Sequence, residues 1–196
     1  MFSECKSLSD LRPLKNWNVS KVQNFSNMFY QCSSLLNNEL NITPLKDWNV
    51  SNGINFSNMF RECDSLKDIK ALKDWDVSKA NDFSSMFREC KKLNDIESLK
   101  HWKVLKATNF SCMFKRCDLL ADIRPLKDWK VSESKNLKKM FSRCPKLSNV
   151  EPLTKWDISK CENFSKMFSK CKKLSNKELL RQWNLPDNVF NEMFVS

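Results

Sequence analysis

Seven tryptophans recur along the chain at nearly constant intervals. The first interval is 31 residues and the other five are 27 residues, which gives Trp17, Trp48, Trp75, Trp102, Trp129, Trp156 and Trp183. A phenylalanine series from Phe2 to Phe168 and a cysteine series from Cys5 to Cys171 share this spacing. A fixed period of this length predicts stacked repeats, because one unit cannot bury its apolar face alone. We therefore expect residues 1–196 to form a single repeat array, with a fragment of a larger assembly as the alternative.

Glycine is almost absent from the chain, and Gly53 is the single example in 196 residues. Phosphate-binding loops and dinucleotide fingerprints need several glycines close together. Nucleotide enzymes of those classes are therefore excluded, and no cofactor is predicted. No stretch reaches the roughly 18 apolar residues of a transmembrane helix, and residues 1–10 lack the apolar region of a secretion signal.

Nine cysteines would suggest disulfides in a small secreted protein, but the number is odd and seven of them occupy one repeat position. Equivalent side chains in a stack point the same way, so neighbouring cysteines cannot converge into a disulfide without backbone movement. Free cysteine behaves as a small buried hydrophobe. The pattern predicts buried free thiols and a cytoplasmic or other reducing location, or the inside of a virus particle. A surface location stays open if the N-terminus is truncated.

The unit from Phe83 to Phe110 shows how one repeat is expected to fold. Its first apolar residues are spaced i, i+3, i+4 and i+7, which predicts a short helix over residues 83–90. Asn81 and Asp82 precede it as capping residues. Later apolar residues recur every third position up to Trp102 and then alternate to Val104, which predicts a short strand. Each unit is thus expected to contribute one strand and one short helix to parallel stacks.

The segments LKDWDVS (Leu72–Ser78) and FSSMFREC (Phe83–Cys90) resemble the BspA-like leucine-rich repeats, also called Mycoplasma-type lipoprotein repeats. The resemblance covers nearly the whole chain. It implies an α/β leucine-rich-repeat solenoid of about seven 27-residue units, with parallel strands on one face and short helices on the other. It also implies occurrence in bacterial surface adhesins, anaerobic protists and large DNA viruses, and it supplies no catalytic residues.

Two units depart from the pattern. Four extra residues lie between Cys32 and Trp48, in the stretch from Leu36 to Asn41, and predict a loop at one edge of the stack. The last unit carries Lys177 where earlier units have isoleucine or valine, and Pro186 where serine is usual. We expect the array to fray or to be capped there.

Residues with catalytic or metal-binding chemistry are few. His101 is the only histidine and occupies a polar repeat position, so no nucleophile pair and no enzymatic activity are predicted. Cys112 and Cys117 are the closest cysteine pair, but on a helix they would lie on different faces, so no metal site is predicted. Seven N-x-[ST] sequons, among them Asn24 and Asn55, are read as repeat consensus and not as glycosylation sites.

Charge is the property that varies along the array. Residues 1–98 hold 13 basic and 13 acidic residues, whereas residues 99–196 hold 21 and 10, so the whole net charge of +11 lies in the second half. Such a region can attract an acidic protein, nucleic acid or anionic lipid, or can serve solubility alone. We expect a non-enzymatic protein-binding or structural scaffold with an acidic protein partner. The predicted binding residues are Lys100, Lys127, Lys138, Lys139, Lys172, Lys173 and Arg181.

Three alternatives remain for the function. The first is a nucleic-acid-associated protein that uses the basic C-terminal half, although such modules usually expose aromatic side chains for stacking. The second is a structural component of a large virus particle, and the third is a cell-surface adhesin. Homotypic or larger assembly is compatible with any of these readings.

Overall fold

The structure, a computed structural model, describes residues 2–8, 10–32 and 42–195. Its regular elements are short and recur just before each tryptophan position. Within the described residues they are the 3-10 helices Arg12–Leu14, Thr43–Leu45, Lys70–Leu72, Glu97–His101, Arg124–Leu126, Glu151–Leu153 and Lys177–Trp183, followed by one α-helix, α1 (Asp187–Glu192). Proline at the first or second position starts four of the 3-10 helices, where its fixed φ suits the turn.

The prediction of a leucine-rich-repeat solenoid with parallel strands and short helices is wrong. No extended strand or sheet forms among the described residues, and residues 83–90 are turns where a helix was predicted. Trp102 and Val104 follow the 3-10 helix Glu97–His101 without forming a strand. Strand-like pairing is limited to isolated parallel bridges between single residues of adjacent repeats: Asn24–Asn55, Asn55–Asp82, Asp68–Asp95, Asp82–Asn109, Asn109–Asn136 and Asn136–Asn163.

A run of linked turns replaces the predicted helix. We call it the turn ribbon, and it comprises residues 25–32, 56–63, 83–90, 110–117, 137–144 and 164–171. In residues 83–90 the Met86 N–H donates to the Phe83 carbonyl (3.2 Å), and the Cys90 N–H donates to the Phe87 carbonyl (3.1 Å). Ser85 and Glu89, the third residues of these two turns, have φ values of 56° and 63°. Type II turns usually fill this left-handed position with glycine or asparagine.

The alternate amides of each turn ribbon point to the next repeat and form a hydrogen-bond ladder. The N–H groups of Phe83, Ser85, Phe87 and Glu89 donate to the carbonyls of Asn109, Ser111, Met113 and Lys115, at 2.7–3.0 Å. The same four bonds recur between residues 110–117 and 137–144 and between residues 137–144 and 164–171. Backbone groups that would close a helix therefore join the repeats instead, which satisfies them without any extended strand.

The turn ribbon explains why the apolar spacing suggested a helix. Phe83, Met86, Phe87 and Cys90 are all fully buried. Two consecutive turns with left-handed third residues direct the i, i+3, i+4 and i+7 side chains inward, as one face of a helix would. Hydrophobic periodicity alone cannot separate the two backbones.

Columns of identical side chains form the core. The stacked rings of Phe60, Phe87, Phe114, Phe141 and Phe168 have centroid separations of 5.6–5.9 Å. From Trp48 onward, the indole N–H of each tryptophan in the series donates to a leucine carbonyl of the preceding repeat, as Trp102 Nε1 does to Leu72 at 3.0 Å. Stacked aromatic pairs add about 0.5–1.5 kcal/mol beyond their area burial. The predicted tryptophan core is confirmed at six positions, and Trp17 is 39% exposed.

Asparagine and aspartate side chains hold the turns that connect the columns. The Oδ1 atoms of Asn24, Asn55 and Asp82 accept the backbone N–H two residues later, at 2.7–2.9 Å. The same contact recurs where Asp76 meets the N–H of Ser78 and where Asp95 meets that of Glu97. These short side chains favour such turns because they can reach their own backbone. The Asn-Phe-Ser sequons therefore have a structural role at Asn24 and Asn55.

The last repeat differs from the others, as its sequence predicted. Pro186 immediately precedes α1, and the helix takes the place of a turn ribbon. Phe190 and Met193 are buried, and the Met193 carbonyl accepts the Phe168 N–H at 2.8 Å, which continues the ladder. The predicted loop from Leu36 to Asn41 lies outside the described residues.

Candidate interaction surface

In the first half of the array, charged side chains on the turn ribbon are paired. Arg61 contacts Glu62 (2.9 Å), and Arg88 contacts Glu89 (3.1 Å). Glu89 also receives Arg116 of the next repeat at 3.2 Å. Half-buried pairs of this kind neutralise each other locally, so this part of the turn ribbon presents little net charge.

In the last two ribbons and the residues just after them, the charged side chains are all basic. Residues 138–146 and 165–173 hold eight Lys or Arg residues and no Asp or Glu. We define the basic surface as Lys138, Lys139, Arg143, Lys146, Lys170, Lys172 and Lys173. All seven are exposed or half-exposed, and within the described residues none of them forms an ion pair. Their positive field is therefore directed to solvent.

One column of the turn ribbon changes sign along the stack. We call it the left-handed column, because all its members have φ values between 56° and 63°: Glu4, Gln31, Glu62, Glu89, Arg116, Arg143 and Lys170. The carboxylates end at Glu89 and the cations begin at Arg116, and these two side chains form an ion pair at the boundary. Beyond Arg116 the cations of this column have no acidic residue in the adjacent ribbons.

In the column one residue earlier on the turn ribbon, the side chains change from long to short at nearly the same point of the stack. Its members in the first repeats are Tyr30, Arg61, Arg88 and Lys115, and those in the last two are Ser142 and Ser169. The guanidinium of Arg61 lies over the Tyr30 ring at 5.1 Å. Burial lowers the pKa of Lys115, and the nearby charge of Arg88 adds to this effect. Ser142 and Ser169 carry no charge and are each 4% exposed, so no long side chain from this column covers the last two ribbons.

The structure divides the predicted binding residues into two groups. Lys138, Lys139, Lys172 and Lys173 lie together on the basic surface. Lys100, Lys127 and Arg181 instead lie at the 3-10 helices, in or directly after them. Lys100 is 3.7 Å from Glu97. Arg181 pairs with Glu178 and Asp187 and covers the Phe190 ring at 3.9 Å, so its charge is already used within the chain.

Sequence reasoning missed Arg143, Lys146 and Lys170. Arg143 and Lys170 share a repeat position with Glu62 and Glu89, so an alignment of the repeats would have shown the change of sign. The left-handed backbone at this position has no glycine to signal it in the sequence.

Burial limits the reactivity of the thiols in the cysteine column. All nine cysteines are free, and Cys32, Cys63, Cys90, Cys117 and Cys144 are buried, which confirms the predicted column. Each thiol of the column donates to a phenylalanine carbonyl of the preceding repeat, as Cys90 Sγ does to Phe60 at 3.0 Å. Burial raises the pKa of Cys63, Cys117 and Cys144 well above the usual value, and that of Cys171 to about 11. Cys5, which the sequence placed in the column, is exposed.

Other candidate chemistry is equally sparse. His101 is exposed at the end of a 3-10 helix. In residues 2–8, 10–32 and 42–195, His, Cys, Asp and Glu side chains do not form groups of three or more that could hold a metal ion. None of the helices in the described residues has the length and apolar character that crossing a membrane requires.

Comparison with known proteins gives a family and no activity. A family described as "Mycoplasma protein of unknown function, DUF285" matches residues 1–122, 35–148 and 96–196, which together span the chain. No curated protein sequence matches it. The match supports the Mycoplasma-type part of the resemblance and does not extend to BspA-like or leucine-rich repeats. The chain therefore belongs to the DUF285 family of Mycoplasma proteins.

Proposed function

We propose that this protein is a non-catalytic binding scaffold that uses the basic surface to bind an acidic protein. The observation that carries the proposal is the positive charge of the seven side chains of the basic surface, which form no ion pair within the described residues, whereas the charges of the earlier ribbons pair as Arg61–Glu62 and Arg88–Glu89. Complementary charge steers association and raises its rate, and the effect weakens with salt. Stacked repeats also present long continuous surfaces, which suits the binding of a macromolecule.

The nature of the exposed side chains favours a protein over nucleic acid. Proteins that bind single-stranded nucleic acid usually combine cations with aromatic rings on which bases stack. Among the described residues, the exposed large apolar side chains are Trp17, Ile54, Leu105, Leu119, Leu179 and Val195, and only Trp17 is aromatic. Trp17 belongs to the first repeat and lies far along the stack from the basic surface. The phenylalanines beneath the basic surface, Phe141 and Phe168, are buried.

The test compares two variants with equal changes in charge. In the first, Lys138, Lys139, Lys172 and Lys173 are changed to Glu. In the control, Lys15, Lys46, Lys73 and Lys103, which are exposed and are not among the predicted binding residues, are changed to Glu. Binding of fluorescent poly-L-glutamate and of a fluorescent DNA duplex is measured by anisotropy at about 50 and about 200 mM salt.

We expect wild type and the control to bind poly-L-glutamate and the first variant to lose most of that binding. Both variants should melt near the wild-type temperature, because exposed charges contribute little to stability. Equal loss in the two variants would mean that net charge, and not this surface, is responsible. Preference for the duplex, with log affinity falling steeply with log salt, would favour the nucleic-acid alternative.

A further inference from the structure

The only glycine of the chain follows an asparagine, and the reason for the glycine is steric. A Cβ atom at Gly53 would lie 2.4 Å from Cζ and 2.7 Å from Cε2 of the Phe56 ring, closer than van der Waals contact allows. Glycine is the residue that permits such a close approach of a neighbouring group. The next two repeats carry Ala80 and Ala107 at this position. The packing of Phe56 therefore places an Asn-Gly pair in the second repeat.

An Asn-Gly pair has a specific chemical weakness. Asparagine is thermolabile, because the backbone nitrogen of the following residue can attack its Cγ atom. The new C–N bond closes a succinimide ring, and Nδ2 leaves as ammonia with the proton that the backbone nitrogen gives up. Water then opens the ring at either carbonyl, which leaves aspartate or isoaspartate. Every other asparagine of the chain precedes a residue whose side chain hinders the attack, so this reaction is expected at Asn52.

The fold holds both reacting groups of this pair. The Gly53 N–H donates to the Val50 carbonyl at 2.7 Å, and Gly53 is buried. The Asn52 side chain is bound at both ends, because Nδ2 donates to the Ser20 carbonyl at 2.8 Å and Oδ1 accepts Lys79 Nζ at 2.6 Å. Ser20 belongs to the first repeat and Lys79 to the third. Any rotation of this side chain toward the Gly53 nitrogen therefore breaks contacts to both neighbouring repeats.

We propose that Asn52 is a deamidation site that the folded stack protects, and that it reacts with Gly53 only when the first three repeats open locally. Stability varies along a structure, and the reaction of a protected group follows the population of the locally open state when closing is fast. The rate of deamidation at Asn52 therefore measures how often these repeats separate. Water is the only reactant that the step requires besides the chain itself.

The two products differ in their effect on the stack. Deamidation of Asn52 to aspartate keeps an oxygen that accepts Lys79 Nζ. Isoaspartate instead routes the main chain through the side-chain carbon and lengthens it at this point. The backbone amides of Ile54 and Asn55 follow directly and donate to the Gln23 carbonyl of the first repeat at 2.8 and 3.1 Å. Isoaspartate would displace these donors and loosen the second repeat from the first.

Mass spectrometry of the tryptic peptide 47–61 measures the reaction. Asn49, Asn55 and Asn58 lie in the same peptide, each before a bulkier residue, and serve as internal controls. The protein is incubated at neutral pH, either in buffer or unfolded in guanidinium chloride. In guanidinium chloride we expect Asn52 to react faster than the other three asparagines. In buffer we expect its rate to be at least about 100-fold lower, because the reaction then requires local opening.

Two variants test the contact with Lys79. Lys79→Met removes the ammonium that holds Asn52 Oδ1. Lys160→Met is the matched control, because Lys160 Nζ donates to Glu133 Oε1 at 2.6 Å at the same repeat position, three repeats along the stack. Lys79→Met should raise the rate at Asn52 in buffer about two- to fivefold, as the loss of one exposed charge-assisted hydrogen bond allows. Lys160→Met should leave this rate unchanged, and urea unfolding verifies that both variants fold.

Three results would overturn the proposal. Equal rates at Asn52 in buffer and in guanidinium chloride would show that the fold gives no protection. A rate in guanidinium chloride no higher than that of Asn49 would show that Asn52 is not the reactive position. A rate in buffer that both variants raise equally, or that neither raises, would show that the contact with Lys79 does not protect the site.

Discussion

Residues 83–90 and residues 137–144 have the same backbone conformation but differ in the charge of their exposed side chains. Both ribbons bury two aromatic or aliphatic residues, a methionine and a cysteine, and both donate four ladder hydrogen bonds to the next repeat. Arg88 and Glu89 pair with each other in the first ribbon, whereas Ser142 and Arg143 occupy these positions in the second. The inward positions and the ladder therefore determine the fold, and the outward positions can change charge without disturbing it.

The largest expected effect tests whether the two halves share one core. Phe87 and Phe141 are both fully buried and stacked between two other phenylalanines. Changing either to alanine should lower the free energy of unfolding by about 3–5 kcal/mol, from lost burial and the cavity left behind. Urea unfolding followed by circular dichroism measures both. Values that differ by more than about 2 kcal/mol would show that the halves differ inside as well as outside.

The thiol column gives a second test, through pH. Burial raises the pKa of Cys63 in the first half and of Cys144 in the second. As pH rises, the thiol ionises in the unfolded chain first, near pH 8.5, because burial raises its pKa in the folded protein. The free energy of unfolding is therefore constant below that pH and decreases above it. Each Cys→Ala change should therefore make the decrease in the free energy of unfolding smaller by about 1.4 kcal/mol per pH unit above about pH 9.

Urea unfolding at several pH values measures this slope for the two variants and wild type. Below about pH 8, the difference in the free energy of unfolding between variant and wild type reports only the cavity left by the missing thiol, and it serves as the control. Unequal slopes for Cys63→Ala and Cys144→Ala would show that the basic half already holds its thiol partly ionised.

Left-handed positions provide a smaller effect that should also be equal in the two halves. Ser85 and Lys139 have φ values of 56° and 55°. Changing either to glycine should raise the free energy of unfolding by about 1 kcal/mol, because glycine has no Cβ to clash in this conformation. Ser84→Gly and Lys138→Gly, one residue earlier, should instead be neutral or destabilising. Destabilisation by Ser85→Gly would argue that its side chain makes a contact that outweighs the strain.

The smallest effect should distinguish the halves. Glu89 is 14% exposed as a side chain and contacts both Arg88 and Arg116, so Glu89→Gln should lower the free energy of unfolding by up to about 1 kcal/mol. Lys170→Gln removes a cation that forms no ion pair with any described residue, and should leave stability nearly unchanged or slightly raised. Unfolding at low and high salt measures both, and the Glu89 effect should shrink with salt. Equal losses in the two variants would contradict the distinction between paired and unpaired charge.

The sequence predicted the repeat and the core, but not the backbone between them. The period identified the buried columns of Phe87, Cys90 and Trp102, because burial depends on which residues recur. It could not identify the turn ribbon, since turns and helix bury the same four positions. Left-handed backbone is normally signalled by glycine, and here Ser85 and Glu89 adopt it with no such signal.

Part of the candidate surface was also predictable. Runs of lysine such as Lys138–Lys139 and Lys172–Lys173 are visible in the sequence and were predicted. Arg143 and Lys170 were not predicted, although the 27-residue period places them at the same repeat position as Glu62 and Glu89. The pairing of Arg181 was not predictable either, because one of its two partners, Asp187, belongs to α1, an element that the repeat pattern does not contain.

The left-handed column also has a consequence for how proteins of this kind can diversify. Glycine would relieve about 1 kcal/mol of strain at each position of this column, but it would provide no side chain to carry a charge there. Glutamate, glutamine, arginine and lysine all occur there with nearly the same φ. The backbone at this position is thus constant and accepts side chains of either charge. Exchanging one repeat for another would change the order of charges along the stack, and so the ligand that the surface attracts, without changing the fold.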